Sequence, residues 1–71
     1  MSATGYHERV AWMTASYERS DLPQLAWYIH AIAYADDMEA VYNEAIERRG
    51  VHPDDASRIA RLVALWREEN L

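Results

Sequence analysis

The sequence predicts a single all-α domain, a three-helix chain with a long central helix, and three observations carry that reading. Apolar residues recur at steps of three and four along most of the 71 residues, which is the spacing of one face of an α-helix. Only two Gly and two Pro interrupt the chain, and they stand where helices should begin or end. Three Trp and five Tyr are present, so the chain falls outside the disordered class, which lacks such residues.

The first helix is expected over residues 6–19. Tyr6, Val10, Met13 and Tyr17 fall at i, i+4, i+7 and i+11 and form one apolar stripe. Thr4 stands where an N-cap should be, and residues 1–5 read as a flexible lead. The segment Ser20-Asp21-Leu22-Pro23 reads as a turn and a new start. Asp21 with Gln24 three residues on has the form of a capping box, and Pro23 suits a first turn.

The central helix is expected over residues 22–49, roughly 40 Å long. Nothing breaks it after Pro23, and Gly50 stands at its stop behind Arg48 and Arg49. It carries two seams. One is Trp27, Ala31, Tyr34, Met38, Val41 and Ala45. The other is Tyr28, Ile32, Ala35, Glu39, Tyr42 and Ile46, with Leu25 and Ile29 widening the apolar surface. The alternative is four helices with a break at Asp36-Asp37, because Asp36 and Glu39 also have capping-box spacing.

The last helix is expected over residues 53–69. Pro53 takes the first position and Asp54 and Asp55 lie in the first turn, which fits both geometry and dipole. Ile59, Leu62, Val63 and Trp66 form its stripe, and Arg61, Arg67, Glu68 and Glu69 lie on other faces. If the two short helices fold back on the two halves of the long one, each half is a two-helix layer. The second seam then stays open, and pairing two chains into a helical-bundle homodimer closes it.

A chain of this length is one domain, residues 1–71, and its core is small, because such chains bury only about 60% of their unfolded surface. There is no Cys, hence no disulfide and no thiolate metal site. The net charge is −5 and all seven basic residues are Arg. An acidic surface disfavours nucleic acid, whose affinity for proteins comes mainly from basic side chains. Arg-only usage with many Ala is a habit of GC-rich bacterial and phage genomes. Residues 1–5 lack the features of a secretion signal. The most apolar stretch, residues 22–35, is too short and polar to span a bilayer. A cytoplasmic location is the expectation.

No motif announces chemistry. His7, His30 and His52 have no His or carboxylate at i+3 or i+4 that would make a metal pair on one helical face. Asp36, Asp37 and Glu39 form the densest acidic group, read as a helix cap or solvated acidic patch rather than a general acid and base. No hydrolase elbow, P-loop or dinucleotide fingerprint is present. Catalytic, cofactor and metal sites are therefore expected to be absent. What remains is a set of large side chains off the main stripes. Trp12 sits about 130° from the centre of the first helix's stripe, at 100° per residue. With Trp27, Tyr34 and Met38 it makes the candidate protein interface, since exposed aromatics are costly and common in binding hot spots.

The expected function is a small acidic, non-enzymatic interaction module that regulates or inhibits a larger protein. In size and charge the chain resembles phage anti-defence proteins. Two other functions are weighed against it. Leu25-Ala26-Trp27-Tyr28-Ile29-His30-Ala31 followed by Asp37 is similar to the helical lead-in of prophage addiction-module antidote proteins, which implies an antitoxin-like regulator binding a toxin or DNA. The other is a small oligomeric enzyme or metal-dependent protein with a site between chains, for which His30, Glu39 and Arg48 are the residues to test.

Overall fold

A computed structural model of the chain describes the backbone of residues 2–70 and the side chains of residues 5–70. Among the described residues it is all-helical and has four helices: α1 (Ser2–Arg19), α2 (Pro23–Ala33), α3 (Met38–Arg48) and α4 (Pro53–Glu69). None is long and apolar enough to cross a membrane. The expected central helix over 22–49 is thus two helices, and the break falls at Asp36-Asp37 as in the four-helix alternative.

The break has a local cause and a tertiary one. Two adjacent Asp residues are poor in a helix interior, because their side chains compete for backbone N–H groups. Asp37 does so here: its carboxylate accepts the Ala40 N–H at 3.2 Å and caps α3. The capping residue is Asp37, one position after the Asp36 expected from the capping-box spacing. The carbonyls freed at the end of α2 then find donors elsewhere in the fold. Arg67, on α4, places one guanidinium nitrogen 3.1 Å from the Ile32 carbonyl, 3.5 Å from that of Ala33 and 2.8 Å from that of Ala35. The Tyr6 hydroxyl donates to the Ala33 carbonyl as well. A cation at a helix C-terminus also complements the dipole.

Breaking the long helix removes the reason for expecting a dimer along its second seam. α2 becomes the central element, packed against α1, α3 and α4, while α3 and α4 also pack on each other. Tyr28 and Ile32 of that seam are completely buried within one chain, and Tyr42 and Ile46 pack half-buried against the same core. The Tyr28 hydroxyl donates to the Ala56 carbonyl at 2.8 Å, which ties α2 to α4. The shortest extent of the molecule is 17 Å, enough for two helix layers and no more. Every helix except α2 therefore keeps a broad face in solvent.

The ends of the helices follow the chain's punctuation in part. α1 begins at Ser2 rather than at Tyr6, so Thr4 lies inside the helix and is not its N-cap. The expected flexible lead of residues 1–5 falls, Gly5 apart, on side chains outside the described residues. Asp21 does not cap α2. It takes a left-handed conformation, φ 60°, and closes α1 instead: the Leu22 N–H bonds the Tyr17 carbonyl at 2.9 Å and the Asp21 N–H bonds that of Glu18 at 3.3 Å. This is the Schellman pattern, with Asp in the place that Gly usually takes. Leu22 is the N-cap of α2 and makes no side-chain cap bond. Gly50 ends α3 as expected, with φ 72°. Its turn lets the Val51 N–H reach the Ala45 carbonyl at 3.0 Å and buries the Val51 side chain. His52 caps α4, its Nδ1 accepting the Asp54 N–H at 3.1 Å.

Candidate protein-binding surface

The core accounts for most of the apolar side chains, which makes the exceptions informative. Among the described residues four large ones stay exposed: Trp12 at 66%, Leu65 at 53%, Tyr34 at 45% and Leu22 at 36%. Leu22 and Tyr34 flank the two ends of α2, and the exposure of the other two follows from the register of their helices. On α1, burying Tyr6 and Val10 turns Trp12 outward. On α4, burying Ile59, Val63 and Trp66 leaves Leu65 on the opposite face.

Trp12 lies on the lip of an open groove of about 740 Å³ between α1 and α4, whose walls include Met13, Leu62 and Trp66. The two helices run antiparallel here. Arg9 of α1 pairs with Glu69 of α4 at one end of the groove, while Trp12 and Met13 face Leu62 and Trp66. Both partners of that ion pair are about half exposed, so it orients the two helices more than it holds them. Trp12 borders the groove and keeps 66% of its surface in water.

Tyr34 stands apart from Trp12, at the C-terminal end of α2, and it is partly covered by its neighbours. The Tyr34 hydroxyl and the His7 Nδ1 lie 2.7 Å apart, the two rings stacked at 5.6 Å and 19°. Tyr6 meets Tyr34 edge-on, 5.9 Å between centroids, and His30 lies 5.1 Å away. Beneath them sits a groove of about 260 Å³ that reaches Asp36, Arg67 and Asn70. Burial pushes the Tyr6 phenol above its ordinary pKa; the Arg67 charge opposes this and Tyr34 adds to it.

Trp27 belongs to a third groove, between α1 and α2, with Thr14, Glu18 and His30. It is half-buried, and the Arg49 guanidinium covers it at 4.2 Å from the ring centroid. Met38, the first residue of α3, is half-buried against the core. The structure thus places Trp12, Trp27 and Tyr34 on three separate grooves. Trp12 alone of the four projects freely.

The acidic residues divide in the same way. Asp36, Asp37 and Glu39 are all exposed at the α2–α3 break. Asp37 is occupied as a cap, Asp36 faces the Tyr34 groove, and Glu39 lies in the first turn of α3. His30, Glu39 and Arg48 do not converge. Glu39 and Arg48 are nine residues apart on α3, which puts them on opposite sides of the helix and about 13 Å apart along it. Among the described residues no three His, Asp or Glu side chains are placed to hold a metal ion. The stretch Leu25–Ala31 forms α2, the most buried helix, so its apolar pattern serves the core.

Sequence reasoning missed two residues. Leu65 belongs to no stripe, and its signal was a large apolar residue between Arg61 and Glu68 on a polar face. Arg67 read only as a charge off the apolar stripe, and its contact spans about half the chain, so nothing local marked it. Comparison of the chain with protein-family models, with curated proteins and with solved structures finds no match.

Proposed function

We propose that this chain is a small acidic protein-binding module without catalytic activity, acting through the lip of the α1–α4 groove. The observation that carries the proposal is Trp12, the largest side chain type in proteins, held 66% exposed beside an apolar groove on a rigid helix. An indole that borders an apolar groove forms a patch with it instead of standing alone, and Trp is among the residues enriched in binding hot spots. Regulation or inhibition of a larger protein fits a chain of this size and a net charge of −5. The acidic residues at the α2–α3 break would then supply a polar rim rather than chemistry.

The experiment compares Trp12→Ala with Trp66→Ala. Trp66 is buried, so its removal is expected to cost about 3–5 kcal/mol of stability. Trp12→Ala is expected to cost less than about 1 kcal/mol and leave the melting curve nearly unchanged. A partner retained stoichiometrically by the immobilised wild-type chain and lost by Trp12→Ala supports the proposal. Retention indifferent to Trp12→Ala, or a loss of stability equal to that of Trp66→Ala, overturns it.

A further inference from the structure

We infer that the surface beside Trp12 pairs with a second copy of itself through α4. This rests on the binding-module reading and names the module's first partner. The exposed face of α4 carries Arg61, Leu65 and Glu68 at i, i+4 and i+7. All three are exposed, Leu65 at 53%. Among the described residues neither Arg61 nor Glu68 has an ion-pair partner within its own chain, although the neighbouring Arg58 pairs with Asp55 and Glu69 with Arg9. At 100° per residue, Arg61 and Glu68 lie about 40° and 60° to the same side of Leu65, and Leu62 about 60° to the other. Arg61 is about 6 Å from Leu65 toward the N-terminus, and Glu68 about 4.5 Å toward the C-terminus.

That arrangement is self-complementary. Two copies of α4 laid antiparallel about a two-fold axis beside Leu65 set Leu65 against Leu65. The same operation sets Arg61 of each copy level with Glu68 of the other. An isologous interface needs a patch that matches itself after rotation, and a leucine flanked by opposite charges at nearly equal distances does so. A surface carrying one sign of charge would not. Leu62, on the far side of Leu65 from the two charges, is already a wall of the Trp12 groove, so pairing through Leu65 leaves that groove open beside the contact. The −5 charge on each chain opposes approach at low salt, but charges farther apart than about 8 Å are screened at physiological ionic strength.

The patch is narrow, smaller than a standard specific interface, so the dimer is weak. The test is sedimentation equilibrium of the whole chain from micromolar to near-millimolar concentration, with circular dichroism checking that each variant is folded. Wild type is expected to move from monomer to dimer. Arg61→Glu and Glu68→Arg, both on exposed side chains, are each expected to weaken pairing at least tenfold. Mixing the two variants is expected to restore it as a heterodimer, and the double swap to restore it as a homodimer. Leu65→Gln weakens pairing in every background.

Three results overturn the inference. The first is a wild-type chain that stays monomeric throughout. The second is a dimer indifferent to Leu65→Gln and to the charge swaps. The third is single swaps that weaken pairing and are rescued neither by mixing nor by the double swap. A monomeric wild type leaves the binding-module reading intact if a partner is still lost with Trp12→Ala. If that loss is also absent, both fall together.

Discussion

Replacing Arg67 with Met keeps most of the side chain's length and apolar stem but removes the guanidinium that holds the end of α2. Two of its three bonds are of ordinary length, 2.8 Å to the Ala35 carbonyl and 3.1 Å to that of Ile32, and the third is marginal at 3.5 Å. A hydrogen bond from a charged donor contributes about 1.5–3 kcal/mol net, and a cation at a helix C-terminus adds up to ~1 kcal/mol. The side chain is only part-buried, so water will replace some of what is lost. We therefore expect Arg67→Met to cost about 2–4 kcal/mol. Against the ~4–10 kcal/mol typical of a chain this long, that is a large share. At about 4–8 °C per kcal/mol it lowers the melting temperature by at least ~8 °C.

The assay is urea unfolding followed by circular dichroism, with Arg9→Met as control. Arg9 also bridges two helices through one ion pair, but an exposed one, and its loss should cost less than about 1 kcal/mol. Arg67→Lys should recover part of the loss, since an ammonium keeps the charge but sits on a shorter side chain that carries it less far toward the three carbonyls. The result that refutes the reasoning is Arg67→Met within ~0.5 kcal/mol of wild type or equal to Arg9→Met. In a continuous central helix the carbonyls of Ile32, Ala33 and Ala35 would be bonded within the helix and would need no outside donor. The measurement is thus also a test of the break.

Two further outcomes follow from the structure. Asp21 holds a left-handed conformation that glycine adopts without strain, so Asp21→Gly should stabilise the fold by up to ~1 kcal/mol, while Gly50→Ala, at the same kind of position, should cost about 1 kcal/mol; thermal melts read both. Burial pushes the Tyr28 phenol up to about 12 from 10.0, with a smaller push from Tyr42. The folded state therefore holds this proton more tightly than the unfolded one. The contribution is complete below pH 10 and is lost as pH rises from 10 to 12, by about 2 kcal/mol. Unfolding titrations across that window should show a slope that Tyr28→Phe flattens; an unchanged slope in the variant would assign it to other groups.

How much of this could be read in advance depended on how local the cause was. The stripes of α1 and α4 were legible because periodicity records burial directly: Tyr6, Val10, Ile59, Val63 and Trp66 are all in the core. Gly50 and the Pro53 start were legible because a positive φ and a fixed φ each belong to one residue type. Asp21 misled, because the same carboxylate suits an N-cap and a left-handed C-terminal turn, and only the path of the chain decides which. The Asp36-Asp37 break lay between these cases. Its capping side was visible in the sequence, but what favours it over a continuous helix includes Arg67 and Tyr6, residues from the two ends of the chain. Of the candidate interface, the outward turn of Trp12 was legible from helix geometry. The fates of Trp27 and Tyr34 were not, since Arg49 and His7 reach them only in the folded chain.

The same break decides where this protein has surface to spare. A continuous helix over 22–49 would carry two apolar seams with too few partners to cover them, and the excess would lie along its middle. Once the chain turns at Tyr34–Asp37, α3 and α4 can both pack on α2, and residues 28 and 32 are sealed inside a single copy. The excess then moves to the perimeter, where α1 and α4 meet over an open groove. Among the described residues Trp12 and Leu65 are the two most exposed of the large apolar side chains, and both sit on those two helices. A chain with no Lys, no Cys and a two-layer core has little reason of its own to leave an indole in water. Stability would be served as well by a polar residue at position 12, so the cost of keeping Trp there points outward, to a second surface.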